Sequence, residues 1–565
     1  MLSIRKIGVL SRTYRHLNRY RQILSVFFKH GFGDLIERLN IDQYIEVGLQ
    51  LISGHRRDRL EKHSRAERVR LALEELGPTY IKFGQILSTR PDLVPVEFIK
   101  ELTKLQDMVP PEPFEAIQPV LSRSLGAPHE EIFSEFDPTP LASASIGQVY
   151  RARLREGDPV AVKVQRPGIR KTIEIDLEIM LHLATLMEKN VEEMALHQPV
   201  RIVEEFARTI EKEIDYTVEA SSMERVARQF LGDPAIYIPK VFREFTSARV
   251  LTMEYIDGIK VSEIDRLDAA GLDRKRITER GADFVLSQVF NHGFFHADPH
   301  PGNIFVLPDN VICLLDFGMT GTIARHMRED FVDLVDAVVH RHEARATQVL
   351  LNLTSWEKEP DLRHLEKDVA DFMGTHLFKP LKELEIGKVL SQMLELATKY
   401  RLRMPPDIFL MLKALTTVEG VARALDPEFD MVTRTAPFIK RVKLERLQPQ
   451  RIAGDLIRGG SELIQFAQQF PRDLKEIARL IRSERLSIRV EDKGMETMLS
   501  TYDQISNRIA FSIIIAALLV GSALIVIANT PPLFYGISII GLIGFLFAAV
   551  MGIWLLFAIL RKGRL

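Results

Sequence analysis

The chain has 565 residues, with 75 Lys and Arg against 76 Asp and Glu, a formal net charge of −1, and one cysteine. That length holds several structural units. The balanced charge excludes bulk nucleic-acid binding, and the lone Cys313 excludes an intramolecular disulfide, consistent with a reducing compartment and a packing role. No acidic residue precedes Asp34, whereas Arg5, Lys6, Arg12, Arg15, Arg19, Arg21 and Lys29 are interleaved with apolar residues. Such a pattern is expected of a basic amphipathic helix on anionic lipid, or equally of an ordinary solvated helix. It lacks the continuous apolar run of a signal peptide.

Residues 56–130 read as helices. After Gly77-Pro78, Lys82 and Gln85 stand three apart and so share a helix face. From 131 the pattern turns to strands. The segment Ala142-Ser143-Ala144-Ser145-Ile146-Gly147-Gln148-Val149 is a loop whose backbone N–H groups can cradle phosphate. Its alanines restrict the φ > 0 conformations that glycine would permit. In Val160-Ala161-Val162-Lys163-Val164 a period of two puts the valines on one face and Ala161 and Lys163 on the other. Glu213-Ile214-Asp215 lies in a helical pattern in which Asp215 and Glu219 share a face and Glu213 points elsewhere. Met253-Glu254-Tyr255-Ile256 follows an apolar strand. Spacing alone makes Glu178 a candidate partner for Lys163.

The chemistry concentrates between His296 and Gly318. Asp298 and Asn303 have the D-x-x-x-x-N spacing of a kinase catalytic loop, and an apolar hairpin returns the chain to Asp316 of Asp316-Phe317-Gly318. Phosphoryl transfer needs Mg²⁺ held by hard oxygen ligands and a carboxylate near the attacking oxygen, which these residues supply. Lys163 then resembles the lysine of a kinase VAIK strand, and residues 253–256 resemble a kinase hinge, with the backbone at Glu254 and Ile256 meeting adenine. No APE motif follows Gly318, and the sequence from there reads as immediate helix. An activation segment able to dock a peptide is not expected.

Ile509–Leu560 contains no charged residue or histidine, and Asn529-Thr530-Pro531-Pro532 divides it into two runs. Each half meets the ~20 apolar residues a membrane span requires. Arg508 before it and Arg561, Lys562 and Arg564 after it predict that both termini are cytoplasmic. Gly544, Ala548 and Gly552 make a small-residue stripe for contact within the hairpin or between two copies of the chain.

With Lys82-Phe83-Gly84-Gln85 (KxGQ), the alanine-rich loop, Glu213-Ile214-Asp215 (ExD), HxDPHPGN and DFG in order, residues 20–430 resemble the UbiB (AarF) family of atypical kinase-like proteins. The resemblance implies an α+β, helix-rich, two-lobed kinase-like fold. The expected organisation is a basic segment (1–55), a KxGQ helical extension (56–130), an N-lobe (131–257), a C-lobe (258–430), a helical tether (431–507) and a transmembrane hairpin (508–565). It implies ATP or ADP with Mg²⁺, Lys163 on the α/β-phosphates paired with Glu219, Asn303 and Asp316 on the metal, and Asp298 as base or positioning carboxylate. Residues 142–147, Val149, Ala161, Glu254 and Ile256 would line the nucleotide. Lys82 and Gln85 would lie over the site, engaged by Glu213 and Asp215.

The biological role implied is a cytoplasmic-membrane ATPase supporting isoprenoid quinone (ubiquinone) biosynthesis. Anionic phospholipid, quinone precursors, quinone-biosynthesis enzymes and a second copy of the chain are the partners expected. A lipid or protein kinase, and a catalytically idle nucleotide-dependent scaffold, are the alternatives.

Overall fold

A computed structural model describes residues 17–39, 63–90, 93–105, 109–191, 198–356, 360–376, 392–393, 395–397, 399–446, 448, 495–528, 530–534 and 537–562. The chain forms two compact units, Met1–Ala453 and Gly454–Leu565.

In the first unit, strands β1 (Phe133–Phe136), β2 (Ala142–Ser143), β3 (Gly147–Leu154) and β4 (Pro159–Gln165) are followed by β5 (Ile236–Tyr237) and β6 (Val250–Glu254). An antiparallel sheet runs β1-β3-β4-β6, with β2 also on β3. Alternation gives this sheet two faces. Val160, Val162 and Val164 join Tyr150, Ala152 and Phe133 against Ile117 and Leu121, while Ala161 belongs to the core on the opposite side.

Helices α1 (Leu17–Lys29), α2 (Arg65–Leu76), α3 (Pro78–Leu87), α4 (Val96–Leu102), α5 (Phe114–Leu125), α6 (Ile169–Asn190), α7 (Pro199–Glu213) and α8 (Tyr216–Gln229) accompany the sheet. Helix α3, carrying KxGQ, packs against α6 and α7. Helix α1 buries Tyr20, Ile23 and Val26 in the same core. Arg19 makes a two-pronged pair with Asp176, at 2.7 and 2.9 Å, and also donates to the Leu76 carbonyl. Lys29 meets Glu75 at 2.6 Å. Arg19 is thus held by a buried protein carboxylate, whereas the Lys29–Glu75 pair lies at the surface; Arg5, Lys6, Arg12 and Arg15 lie outside the described residues.

The C-lobe carries β7 (Ile259–Lys260), β8 (Phe294–His296), β9 (Ile304–Leu307), β10 (Val311–Leu314) and β11 (Thr320–Thr322). One sheet runs β5-β10-β9-β7, and β8 pairs with β11. The β9–β10 hairpin, with Ile304 opposite Leu314, brings the catalytic loop and DFG to one end. Residues after Gly318 do not enter a helix at once: Thr320–Thr322 first pairs antiparallel with Phe294–His296. This pairing leaves less room for a peptide-docking segment, since the chain is folded back on the strand that carries His296.

Helices α9 (Arg274–Ser287), α10 (Arg325–Val339), α11 (Glu343–Leu353), α12 (Leu362–His376), α13 (Pro406–Leu425) and α14 (Met431–Arg446) complete the lobe. Helix α14 was expected to open a tether. Instead its Met431 and Val442 are buried in the C-lobe core. Most of the remaining expected tether lies outside the described residues.

In the second unit, α15 (Met495–Ile527) packs on α16 (Ile539–Lys562), with β12 (Leu533–Phe534) paired to β13 (Ile537–Ser538) between them. Small residues allow the approach. A Cβ on Gly544 would lie 2.1 Å from Ser522 Oγ, and one on Gly541 would lie 2.5 Å from Val526 Cγ2. Gly552, by contrast, faces open space. Ile509–Ile527 is long and apolar enough to cross a membrane, with mean hydropathy 2.8, whereas the apolar part of the second helix, Ile539–Leu555, is shorter.

Candidate functional site

The cleft is organised around one lysine shared by two carboxylates. Lys163 Nζ lies 2.9 Å from both oxygens of Glu219 and 3.8 Å from Asp316 Oδ2. Glu219 Oε1 also accepts from the Phe317 amide at 3.4 Å, joining β4, α8 and the DFG segment. Burial opposes the charge on Lys163, but Asp316 and Glu219 overcome it and hold the ammonium well above the usual lysine range. Burial also opposes charge on Asp316, yet Lys163 and the Gly318 amide, at 2.8 Å, hold that carboxyl at about 2. Glu219 is pushed up by burial, which Lys163 only partly offsets. With one cation for two acids, one ionises readily and the other reluctantly.

His296 couples this cluster to the catalytic loop. Its Nδ1 accepts from the Asp298 amide at 3.1 Å, and its Nε2 lies against the Asp316 carbonyl. Those partners assign a neutral ring with the proton on Nε2, and burial lowers the histidine further. Asn303 is tied to the same place: its carbonyl accepts from Leu315 N at 3.2 Å, next to Asp316. Asp298 Oδ1 meets Lys413 Nζ of α13 at 3.0 Å.

The ExD segment does not lie on a single helix. Helix α7 ends at Glu213 and α8 begins at Tyr216, with Asp215 as N-cap, accepting from Thr217 N at 3.0 Å and Thr217 Oγ1 at 2.6 Å. The reading of Asp215 and Glu219 as one helix face is thereby corrected: a carboxylate that competes for backbone N–H groups starts a helix better than it continues one. Asp215 thus anchors the helix that carries Glu219. Glu213 does reach the KxGQ helix, meeting Lys82 Nζ at 2.5 Å. Gln85 Nε2 donates to the Leu105 carbonyl at 3.2 Å. Glu178 lies on α6, and Lys163 is paired with Glu219 instead.

The alanine-rich loop is held from behind. Ala142 and Ser143 pair with Val149 and Gln148, and Ala144 N donates to Gly147 O at 2.9 Å. Arg166 donates to Ala144 O at 2.9 Å and to Ser143 Oγ and Pro110 O at 2.8 Å. Ile146 and Ser145 are buried, and Ser145 Oγ has no partner among the described residues. Gly147 packs where a Cβ would lie 2.2 Å from the Tyr216 hydroxyl and 2.7 Å from Val164 O. At the hinge, Glu254 N donates to Lys240 O at 2.8 Å and Tyr255 N to Pro159 O at 3.0 Å. The N–H of Glu254 is therefore committed within the protein.

The sequence profile of the ABC1 atypical kinase-like domain matches residues 104–350, that of the UbiB helical domain 369–430, and that of the ABC1/UbiB kinase-like C-terminal domain 493–561. A Clostridium pasteurianum protein, "Uncharacterized protein in hydrogenase 1 5'region", is 30% identical over 97% of this chain and 99% of its own. The chain belongs to the UbiB family of atypical kinase-like proteins. Family members named "Probable protein kinase UbiB" include one from Marinobacter nauticus, 37% identical over 76% of this chain and 78% of its own. Another, from Aeromonas salmonicida, is 39% identical over 69% and 72%.

Several residues of this UbiB-family site escape sequence reasoning. Arg166 makes its contacts across long sequence separations that no spacing rule reveals. Gln165 donates to the Ala248 carbonyl at 3.0 Å and to the Ile214 carbonyl, fixing the α7–α8 junction to β4. Gln148 exchanges hydrogen bonds with the Glu112 backbone at 2.9 and 3.2 Å. The only advance signal is compositional: polar side chains stand in strands whose neighbours are apolar.

Proposed function

We propose that this chain is a membrane-anchored, ATP- and Mg²⁺-dependent kinase-like ATPase that supports isoprenoid quinone biosynthesis by acting on, or helping to extract, lipid quinone precursors. The observation that carries the nucleotide reading is the Lys163–Glu219–Asp316 cluster, assembled with the Phe317 amide on Glu219. Lys163 is oriented by Glu219 to hold the α/β-phosphates. Asp298, positioned through His296, takes the proton of an attacking water or stations that water in line.

The residues fit Mg²⁺. Asp316 is an easily ionised carboxyl whose side chain is 48% exposed to the cleft, and Asn303 stands at the same end of the hairpin. Among the described residues no group of three or more His, Cys, Asp or Glu could hold an ion alone. That suits a Mg²⁺ that takes one or two protein oxygens and completes its shell with phosphate. When bound it neutralises phosphate charge; Asp316 and Asn303 would hold it.

The Lys82–Glu213 pair, closing the KxGQ helix onto the end of α7, favours a small or lipid acceptor over a folded protein substrate. Ile509–Ile527 with the apolar helix after it supports anchoring as two spans, with Arg508, Arg561, Lys562 and Arg564 on the cytoplasmic side. Anionic phospholipid is the lipid such flanks prefer. The quinone role follows the family name carried by the relatives.

The test is Mg²⁺-dependent stabilisation of the full-length protein by ADP. Asp316→Asn should abolish the metal-dependent part of the thermal shift. An unchanged shift contradicts the site assignment.

A further inference from the structure

Lys413 belongs to none of the motifs that mark the site. It lies outside the residues matched by the kinase-like domain profile, on α13, within the segment matched by the helical-domain profile. That helix buries Met411, Leu412, Ala414 and Leu415 around it. A lysine in such surroundings extends its stem to bring the ammonium to a polar partner. Here the partner is Asp298 Oδ1 at 3.0 Å, with the Met319 sulfur 3.9 Å away. The pair is open to the cleft, with Lys413 26% and Asp298 32% exposed. Helix α13 is held in place by packing on α9 and on β11, the strand hydrogen-bonded to β8, where His296 lies.

The site therefore has two lysine–aspartate pairs, one on either side of His296. Lys163 is fixed by Glu219 and Asp316, which suits a static grip on the non-reacting phosphates. The acceptor side would otherwise present Asp298 as a bare carboxylate to an incoming polyanion. Charge that builds on a transferring phosphoryl group needs a cation there, as an arginine finger supplies in other phosphoryl-transfer enzymes.

Resting on the ATPase reading above, we propose that Lys413, supplied by the helical domain, is the acceptor-side cation of this site: it positions Asp298 and stabilises the terminal phosphoryl group in transfer. In the hydrolytic step the water oxygen bonds to the γ-phosphorus as the bond from phosphorus to the bridging β–γ oxygen breaks. The water proton passes to Asp298, and ADP and inorganic phosphate leave. Lys413 stays charged throughout. The kinase-like domain is then incomplete without α13, which ties turnover to the placement of the helical domain.

The experiment measures phosphate release and ADP affinity for the full-length protein and its Lys413→Met and Lys413→Arg variants. Lys413→Met should lower kcat at least tenfold and leave ADP affinity within about twofold. Lys413→Arg should recover most of kcat. A Lys413→Met protein with kcat within twofold of wild type overturns the inference alone. So does one whose kcat, ADP affinity and thermal midpoint fall together without rescue by arginine, the mark of a packing role. Absence of turnover in the wild type removes the ATPase reading and the inference with it.

Discussion

Replacing Glu219 with glutamine breaks a buried ion pair, yet it should leave stability nearly unchanged while removing activity. At 2.9 Å the attraction between Lys163 and Glu219 is about 6 kcal/mol gross with an effective dielectric of 20. Against it stands the dehydration of a carboxylate that is only 5% exposed, which costs several kcal/mol. The upward displacement of Glu219 says that dehydration wins. The sign follows: a carboxyl raised on folding weakens the fold as pH rises through its folded value, so a neutral amide removes that penalty. Lys163 meanwhile keeps Asp316 at 3.8 Å.

The expected loss for Glu219→Gln is within about 1–2 kcal/mol. Lys163→Met should instead cost about 3–5 kcal/mol, because two carboxylates then face each other without a cation. An amide keeps one neutral acceptor oxygen, so Lys163 loses its second Glu219 oxygen and the charge that orients it. Phosphate release should therefore fall at least tenfold in Glu219→Gln. Urea unfolding of the full-length protein in nonionic detergent, followed by tryptophan fluorescence and by circular dichroism, measures the first quantity. A loss above about 4 kcal/mol in Glu219→Gln, or an equal loss in the two variants, would refute the shared-cation argument.

Gly147→Ala must displace both the Tyr216 hydroxyl and the Val164 carbonyl, so nucleotide-induced stabilisation should be largely lost; Tyr216→Phe in the same chain should recover part of it. Arg166→Met frees the carbonyls of Ala144 and Pro110, and hydrogen exchange across residues 142–147 should rise while that of β4 stays slow. Arg19→Gln leaves Asp176 buried with one charged partner fewer and should destabilise the protein by about 3–5 kcal/mol in detergent and bilayer alike. A bilayer-only effect would restore a lipid role for Arg19. Acid should weaken the fold late: Asp316, depressed to about 2, contributes stability present above the usual carboxyl value and lost between roughly pH 4 and 2, a loss that urea unfolding against pH measures and that Asp316→Asn should remove.

The part of the site legible in the sequence is the part written in short spacings. Asp298, Asn303 and Asp316 are linked by a hairpin whose register any alternating apolar run would give, and Lys163 follows from period two on β4. The ExD segment was legible as residues but not as structure. One helix ends at Glu213 and the next starts at Tyr216 because the Asp215 carboxylate caps the second, at a junction that Gln165 holds through the Ile214 and Ala248 carbonyls. The basic N-terminal segment misleads for a related reason. Arg19 and Asp176 are 157 positions apart, and only the packing of α1 on α6 makes one the other's partner. Lys413 was invisible for the same cause, since its target Asp298 lies in another segment of the chain and its helix reads as plain core.

The proposed activity is turnover of nucleotide by the assembled cluster at a membrane. Its most direct test is Mg²⁺-dependent phosphate release by the full-length protein in anionic bilayers, with and without an isoprenoid phenol precursor. Release should rise with the precursor and disappear in both Asp298→Asn and Asp316→Asn. No release in any bilayer, or release that survives both substitutions, contradicts it.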